Sequence, residues 1–399
     1  MIALILTLFS LIILPLTKLD ALSIPFIGLG TIACGFAIFS KIRQKPTKTG
    51  RCILAFLVVC LLHVGWILSG NVTTEEYIRG LIPFLFLGFF YVTTRLLNIR
   101  NFDLLYGSVI VVSLAFATQN VILLPKVISG EVWRSTFANP NHSIPLPVVG
   151  FHLCVGLAIR KHMTSWKRTG LMLCAAYMLL SSLLTGTRSL IIASLLPLVF
   201  LPFIHGWSLR QLARYSSALA VLGMIAFVLP KETFFKGARI GYTQAGSIDT
   251  RMQENEVALQ HIEHSPVIGN GLGFRFDTSG LYYQTTRVGY VHNSYLYLLM
   301  DFGLFGLLYV AAPIFALLGV SPLALGQHRS HHAGLLLAVS GLLIFAIGFA
   351  MARLIHFNLI LGVLLAMIEV LKRDRTQLAP NAARGPVFML ALPAPRPLA

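Results

Sequence analysis

Apolar residues come in runs long enough to cross a ~30 Å hydrocarbon core, separated by short clusters of charged residues, Gly and Pro; such runs read as transmembrane helices. The windows predict about twelve helices, starting near residues 2, 22, 52, 81, 104, 145, 170, 189, 216, 291, 333 and 355. The expected architecture is an all-α polytopic membrane protein with a single transmembrane domain over residues 1–375. Residues 1–16 lack a basic start and a small-residue cleavage site, so they read as a retained first span. Residues 376–399, rich in Pro and Ala, read as a disordered tail. Between the ninth and tenth helices lies a connection over 231–290, partly helical by pattern and too long to be a mere turn.

Composition agrees with this. Of 399 residues, 56% are hydrophobic and 11% charged, with mean hydropathy +0.79; an ordinary soluble domain carries about 25% charged residues. A soluble enzyme is excluded. The net charge of +17 would suggest nucleic acid on a soluble protein, but its distribution changes that reading. If the loop 41–51 is cytoplasmic, alternation of the spans puts 19 of the 31 Lys and Arg on that side, and ten of the 14 acids on the other. The positive-inside rule then places both termini in the cytoplasm and turns most of the excess charge into a topology signal. Cys34, Cys52, Cys60, Cys154 and Cys174 sit in apolar stretches without metal spacing and read as packing residues.

Four clusters fall on the external side. Phe137 to His142 contains Asn139, Pro140 and Asn141, a turn whose amides can bind hydroxyls or simply enter a helix. Thr185-Gly186-Thr187-Arg188 is a short hairpin that puts a guanidinium at a helix start, a place suited to phosphate or to an interfacial snorkelling arginine. Arg251 opens a stretch with Glu254, Glu256, His261, Glu263 and His264, interleaved with Met252, Val257, Leu259 and Ile262, which predicts an amphipathic helix on or above the membrane. It runs into Gly269-Asn270-Gly271-Leu272-Gly273, where alternating glycines allow close backbone approach to a ligand. His261 and His264 have metal-ligand spacing but no third ligand. Finally His292-Asn293 opens the tenth span, and a histidine there can take a proton from a hydroxyl at neutral pH or serve as a structural hydrogen bonder. Asp301 lies inside that span, and His328, His331 and His332 read as solvated and juxtamembrane.

Together and in this order, Asn139-Pro140-Asn141, Thr185-Gly186-Thr187-Arg188, Arg251 followed by Pro266 to Phe274, and His292-Asn293 with nine residues before Gly303-Leu304-Phe305-Gly306 resemble the O-antigen ligase and polymerase superfamily. One departure is Leu307, where ligases carry Thr or Val. The resemblance implies a fold similar to the C-type membrane glycosyltransferases and an inverting, metal-independent glycosyl transfer at the periplasmic face of the Gram-negative inner membrane, without cofactor. It implies an undecaprenyl-pyrophosphate-linked glycan as donor and lipid A-core as acceptor in the ligase, another polyprenyl-linked repeat in the polymerase. Under it, Arg188 and Arg251 bind the pyrophosphate and His292 is the base. Asn293, Asn139, Asn141, Tyr290, Tyr282, Tyr283 and Arg275 contact the substrates. A protein O-oligosaccharyltransferase and a lipid-linked sugar transporter are the remaining readings.

Overall fold

A computed structural model of the protein describes residues 4–5, 7–8, 47–128, 145–159, 163–184, 188–202, 244–277, 287–289, 291–319 and 329–383. In chain order the longer elements are α1 (Lys48–Leu62), α2 (Thr74–Arg95), α3 (Phe102–Ile128), α4 (Pro145–Ala158), α5 (Ser165–Leu184), α6 (Arg188–Leu195) and α7 (Gln244–His264). A two-residue antiparallel pair follows, β1 (Phe276–Asp277) with β2 (Arg287–Val288). The chain continues through α8 (Ser294–Phe302), α9 (Leu307–Leu318), α10 (Arg329–Ile347) and α11 (Ile355–Ala383). The protein is thus helical apart from one minimal hairpin contact among the described residues.

Five helices there are long and apolar enough to cross a membrane: Lys48–Leu68, Thr74–Arg95, Ile99–Leu123, Ser294–Leu318 and Ile355–Arg373. Shorter apolar helices cover Leu146–Ala158, Ser189–Phe200 and Ala333–Ile347. This is the architecture of a polytopic membrane protein. The spans expected near residues 22 and 216 lie outside the described residues, and of the first only 4–5 and 7–8 are described, all helical. At the C-terminus α11 runs on to Ala383, past Pro380, into the segment read as disordered.

Burial shows which helix is central. The apolar window of α11 is 89% buried, against 22% for the helix beginning at Lys48. Leu54, Leu61 and Leu62 on that outer helix, and Ile122 on α3, are exposed, which suits hydrocarbon and not water. Helix α11 packs along α2, and α4 is enclosed by α3, α5 and α10. Phe56, Phe84, Phe302 and Tyr309 join α1, α2, α8 and α9 in an aromatic cluster with centroids 4.9 to 5.7 Å apart, mostly edge to face.

One polar contact fixes an element that matters for the site. In α4 the fully buried His152 donates from Nε2 to the Ser194 carbonyl at 2.9 Å. That carbonyl lies where α6 gives way to a 3₁₀ segment containing Pro197, whose ring nitrogen cannot donate, so the histidine serves a backbone group in the region where the helix ladder is interrupted. This ties α6, and Arg188 at its start, to the helix bundle. At one end of the bundle Thr49 donates to Glu369 at 2.8 Å and Lys372 to the Ala316 carbonyl at 2.9 Å, near Arg51, Arg95 and Arg373. Arg251, Arg275, His292 and the start of α6 lie at the opposite end.

Candidate active site

The centre of that end is the first turn of α8. Asn293 caps the helix, its Oδ1 accepting from the N–H groups of Tyr295 (3.0 Å) and Leu296 (3.3 Å). One residue on, Ser294 donates to the Phe349 carbonyl at 2.6 Å and accepts from the Ala352 N–H at 3.2 Å. The loop between α10 and α11 is therefore pinned against the start of α8, and Phe349 is held beside His292, ring centroids 6.5 Å apart. Phe345 stacks on Phe349 at 4.8 Å and fixes the ring from behind.

Helix α7 supplies the second wall. The Arg251 guanidinium carbon lies 5.4 Å above the Phe349 ring, a cation–π contact that holds a half-buried charge in one place. One turn later Glu254 is fully buried, and both its oxygens approach His292 Nδ1, at 2.9 and 2.8 Å; Oε2 also accepts the His292 backbone N–H at 2.9 Å. The His292 side chain keeps 31% of its surface exposed. The buried face of α7 is therefore set by Arg251, Glu254 and Ala258, while Met252 and Leu259, expected on the apolar face, are exposed. A buried carboxylate paired with a partner 38 residues away outweighs the apolar pattern here.

The third element arrives through glycine. Gly348 packs against Ser189, where an added Cβ would stand 3.2 Å from the Ser189 Cβ. Ser189 follows Arg188, the first residue of α6. The start of α6 thus lies against the residue preceding Phe349, and the backbone of Arg188 comes to the same end as Arg251 and His292.

The segment 265–277 fastens α7 to the bundle. Asn270 donates from its backbone N–H and from Nδ2 to the Met300 carbonyl, both at 2.9 Å, and from Nδ2 to the His261 carbonyl at 3.1 Å. Gly271 N–H reaches the Asp301 carbonyl at 3.0 Å, Gly273 N–H the Asp301 carboxylate at 3.3 Å, and Leu272 N–H His63 Nδ1 at 3.1 Å. At Gly273 φ is +86°, and a Cβ would lie 2.6 Å from the Glu76 carbonyl oxygen. The alternating glycines were expected to admit a ligand; here they admit α2, α8 and Trp66 beyond the end of α1. Asp301, inside its span, serves this docking.

Arg275 makes an ion pair with Glu76 at 2.7 Å, and Glu76 also closes the capping box with Thr73 at the start of α2. The Arg275 side chain is 41% exposed, and an exposed pair of this kind contributes about 0.2–1 kcal/mol. Arg275→Ala is accordingly expected to lower the melting temperature in detergent by only a few degrees and to leave the transfer rate within about twofold; a large rise in KM would reveal a substrate contact instead.

His261 stacks edge-on to Phe274 at 5.0 Å, and among the described residues no three metal-ligating side chains converge. Burial, and secondarily the neighbouring His264, hold the His261 imidazole below the usual histidine range. Asn139, Asn141, Tyr282, Tyr283 and Tyr290 lie outside the described residues, as do the side chain of Arg188 and His328. Glu254, Phe349 and Ser294 were not predicted as site residues. Only Glu254 carried a sequence signal, a carboxylate one turn after Arg251.

A helical membrane protein that gathers arginine and a carboxylate-paired histidine at one end of its bundle carries groups able to bind an anion and to take up a proton. Residues 173–311 match the family model described as O-Antigen ligase, which supports placement in the O-antigen ligase superfamily. The matched stretch contains Arg188, Arg251, Glu254 and His292. The family carries ligase- or polymerase-type glycosyl transfer, with lipid-linked glycan and lipid acceptor substrates. Comparison with curated proteins gives no match.

Proposed function

We propose that the protein is an O-antigen ligase, an inverting, metal-independent glycosyltransferase that moves a glycan from an undecaprenyl-pyrophosphate carrier to lipid A-core. In this reading it has about twelve spans, both termini in the cytoplasm and its site at the periplasmic face of the inner membrane. The observation that carries the proposal is Phe349, which has Arg251 over its ring, His292 at its edge, and the start of α6 packed against the residue before it.

The chemistry follows from those groups. The acceptor hydroxyl oxygen attacks the anomeric carbon while the bond from that carbon to the pyrophosphate oxygen breaks, and the electron pair leaves with the pyrophosphate. Negative charge grows on the leaving group, and Arg251 and Arg188 neutralise it; fixed guanidinium groups supply what a divalent cation supplies elsewhere. The proton of the hydroxyl passes to His292 and then to water. Attack opposite the leaving group inverts the anomeric centre. Asn293 commits Oδ1 to its cap, so its amide nitrogen is the part offered to sugar hydroxyls, beside Asn139, Asn141 and Tyr290; Tyr282 and Tyr283 stack on sugar rings.

Deletion of the gene tests ligase against polymerase. The expected outcome is lipid A-core without long glycan, while long polyprenyl-linked chains persist; lipid A-core bearing a single repeat would instead identify a polymerase. Purified protein with a polyprenyl-pyrophosphate glycan and lipid A-core should form the new glycosidic bond in EDTA. Loss of activity in the chelator, restored by a divalent cation, would overturn the arginine-based mechanism.

A further inference from the structure

The site contains a fully buried carboxylate with one use. Among the described residues, every partner of Glu254 belongs to His292: Nδ1 within 2.9 Å of both oxygens, and the backbone N–H at 2.9 Å from Oε2. Arg251, one turn earlier on the same helix, points to Phe349 rather than to this carboxylate. A carboxylate with no exposed surface is costly to keep charged unless its partners repay the lost hydration. A packing role would be served more cheaply by an apolar side chain of similar size.

We infer that Glu254 is the positioning residue of a Glu–His pair: it holds His292 in the tautomer with its proton on Nδ1, so that Nε2 is the atom that receives the acceptor's proton. This rests on the glycosyl-transfer reading above and assigns the orienting group within it. Two features of the geometry bear on the role. Gripping both the ring nitrogen and the backbone N–H of one residue fixes the ring's position as well as its tautomer, as second partners of a histidine do elsewhere. And when Nε2 takes the proton, as the bond from acceptor oxygen to anomeric carbon forms and the pyrophosphate departs with the bonding pair, the imidazolium that results already faces the buried Glu254 carboxylate. Glu254 touches neither substrate nor leaving group; it acts through His292. The arrangement also separates two buried or half-buried charges of α7 by job, Glu254 to the proton and Arg251 to the phosphate.

The test uses the full-length protein in detergent, with a polyprenyl-pyrophosphate glycan and lipid A-core, and compares Glu254→Gln, Glu254→Asp, His292→Ala and the double variant E254Q/H292A. Expected are a fall in kcat of roughly 10²-fold or more for E254Q with KM within about twofold, recovery of at least a tenth of the activity in E254D, and a double variant no slower than H292A alone. A group acting only through His292 has nothing left to do once His292 is gone. Wild-type kcat in E254Q beside an inactive H292A overturns the inference while leaving the base in place. So do additive losses in the double variant, or a loss confined to KM. If E254Q does not fold, E254D decides: activity as low as that of H292A in a folded E254D overturns the inference. Near-normal transfer by H292A instead removes the base, and with it the proposed mechanism.

Discussion

His292→Ala is expected to lower the rate of glycan transfer by roughly 10²- to 10⁴-fold, the contribution of a positioned general base, with the protein still monodisperse in detergent. The His292 side chain is 31% exposed, and truncation leaves Glu254 the His292 backbone N–H while removing its ring partner, so a lower melting temperature accompanies the loss of chemistry. Arg251→Ala should produce a comparable loss by a different route. Its guanidinium is held over Phe349 at 5.4 Å and, in the proposed mechanism, meets charge that grows as the anomeric bond breaks. The defect should therefore fall on kcat more than on KM. Arg251→Lys should sit between the two, since an ammonium keeps the charge but loses the flat stack and the two-pronged grip on phosphate. Steady-state kinetics on the purified variants decide this. Full activity in Arg251→Ala would mean that the pyrophosphate is bound elsewhere.

The second large effect is structural in origin. Gly303 has φ +57°, and a Cβ there would stand 2.5 Å from the Val267 carbonyl oxygen. It ends α8, and the chain turns through the 3₁₀ segment Gly303–Gly306 before α9 resumes the span. Gly303→Ala combines a backbone strain of about 1–3 kcal/mol with displacement of the 266–269 backbone, where the Leu304 N–H bonds the Pro266 carbonyl at 2.9 Å. The expected result is a melting temperature lowered by several degrees and transfer reduced at least tenfold, because the loop that moves is the one that anchors α7. Thermal unfolding in detergent, read alongside activity, separates the two components. A variant with wild-type stability and activity would show that the docking of 265–277 has no hold on the site.

The span pattern was legible because hydrocarbon imposes one rule on every segment that crosses it, and the rule is written in hydropathy alone. Expected starts near 52, 81, 104, 291 and 355 correspond to the five helices long enough to cross, and those near 145, 189 and 333 to shorter apolar helices. The basic clusters near Arg51, Arg95 and Arg373 were likewise readable at the end away from the site. Arg251 and His292 could be singled out because ionisable groups at a span edge are costly and few. Their meeting at Phe349 could not be read, since Phe349 resembles every other apolar residue of its stretch until Ser294 pins its carbonyl. Glu254 was hidden for a related reason: periodicity assigns a carboxylate to the wet face of an amphipathic helix, and only a partner distant in sequence reverses that. The glycines at 269, 271 and 273 were visible as permissive backbone, but permissiveness does not say whether a ligand or a neighbouring helix makes the approach.

Helix α7 is fastened by 265–277 to the C-terminal end of α8, at Met300, Asp301 and Leu304, and by Glu254 to its N-terminal edge, at His292. These attachments grip α8 at both ends, so α7 and α8 travel as one rigid piece. Spanning helices change tilt when the bilayer thickens or thins, and a site assembled from independently tilting helices would drift out of alignment. Here Arg251 and His292 ride on the same clamp, so a change in lipid composition carries both together and leaves the distance between them as it was.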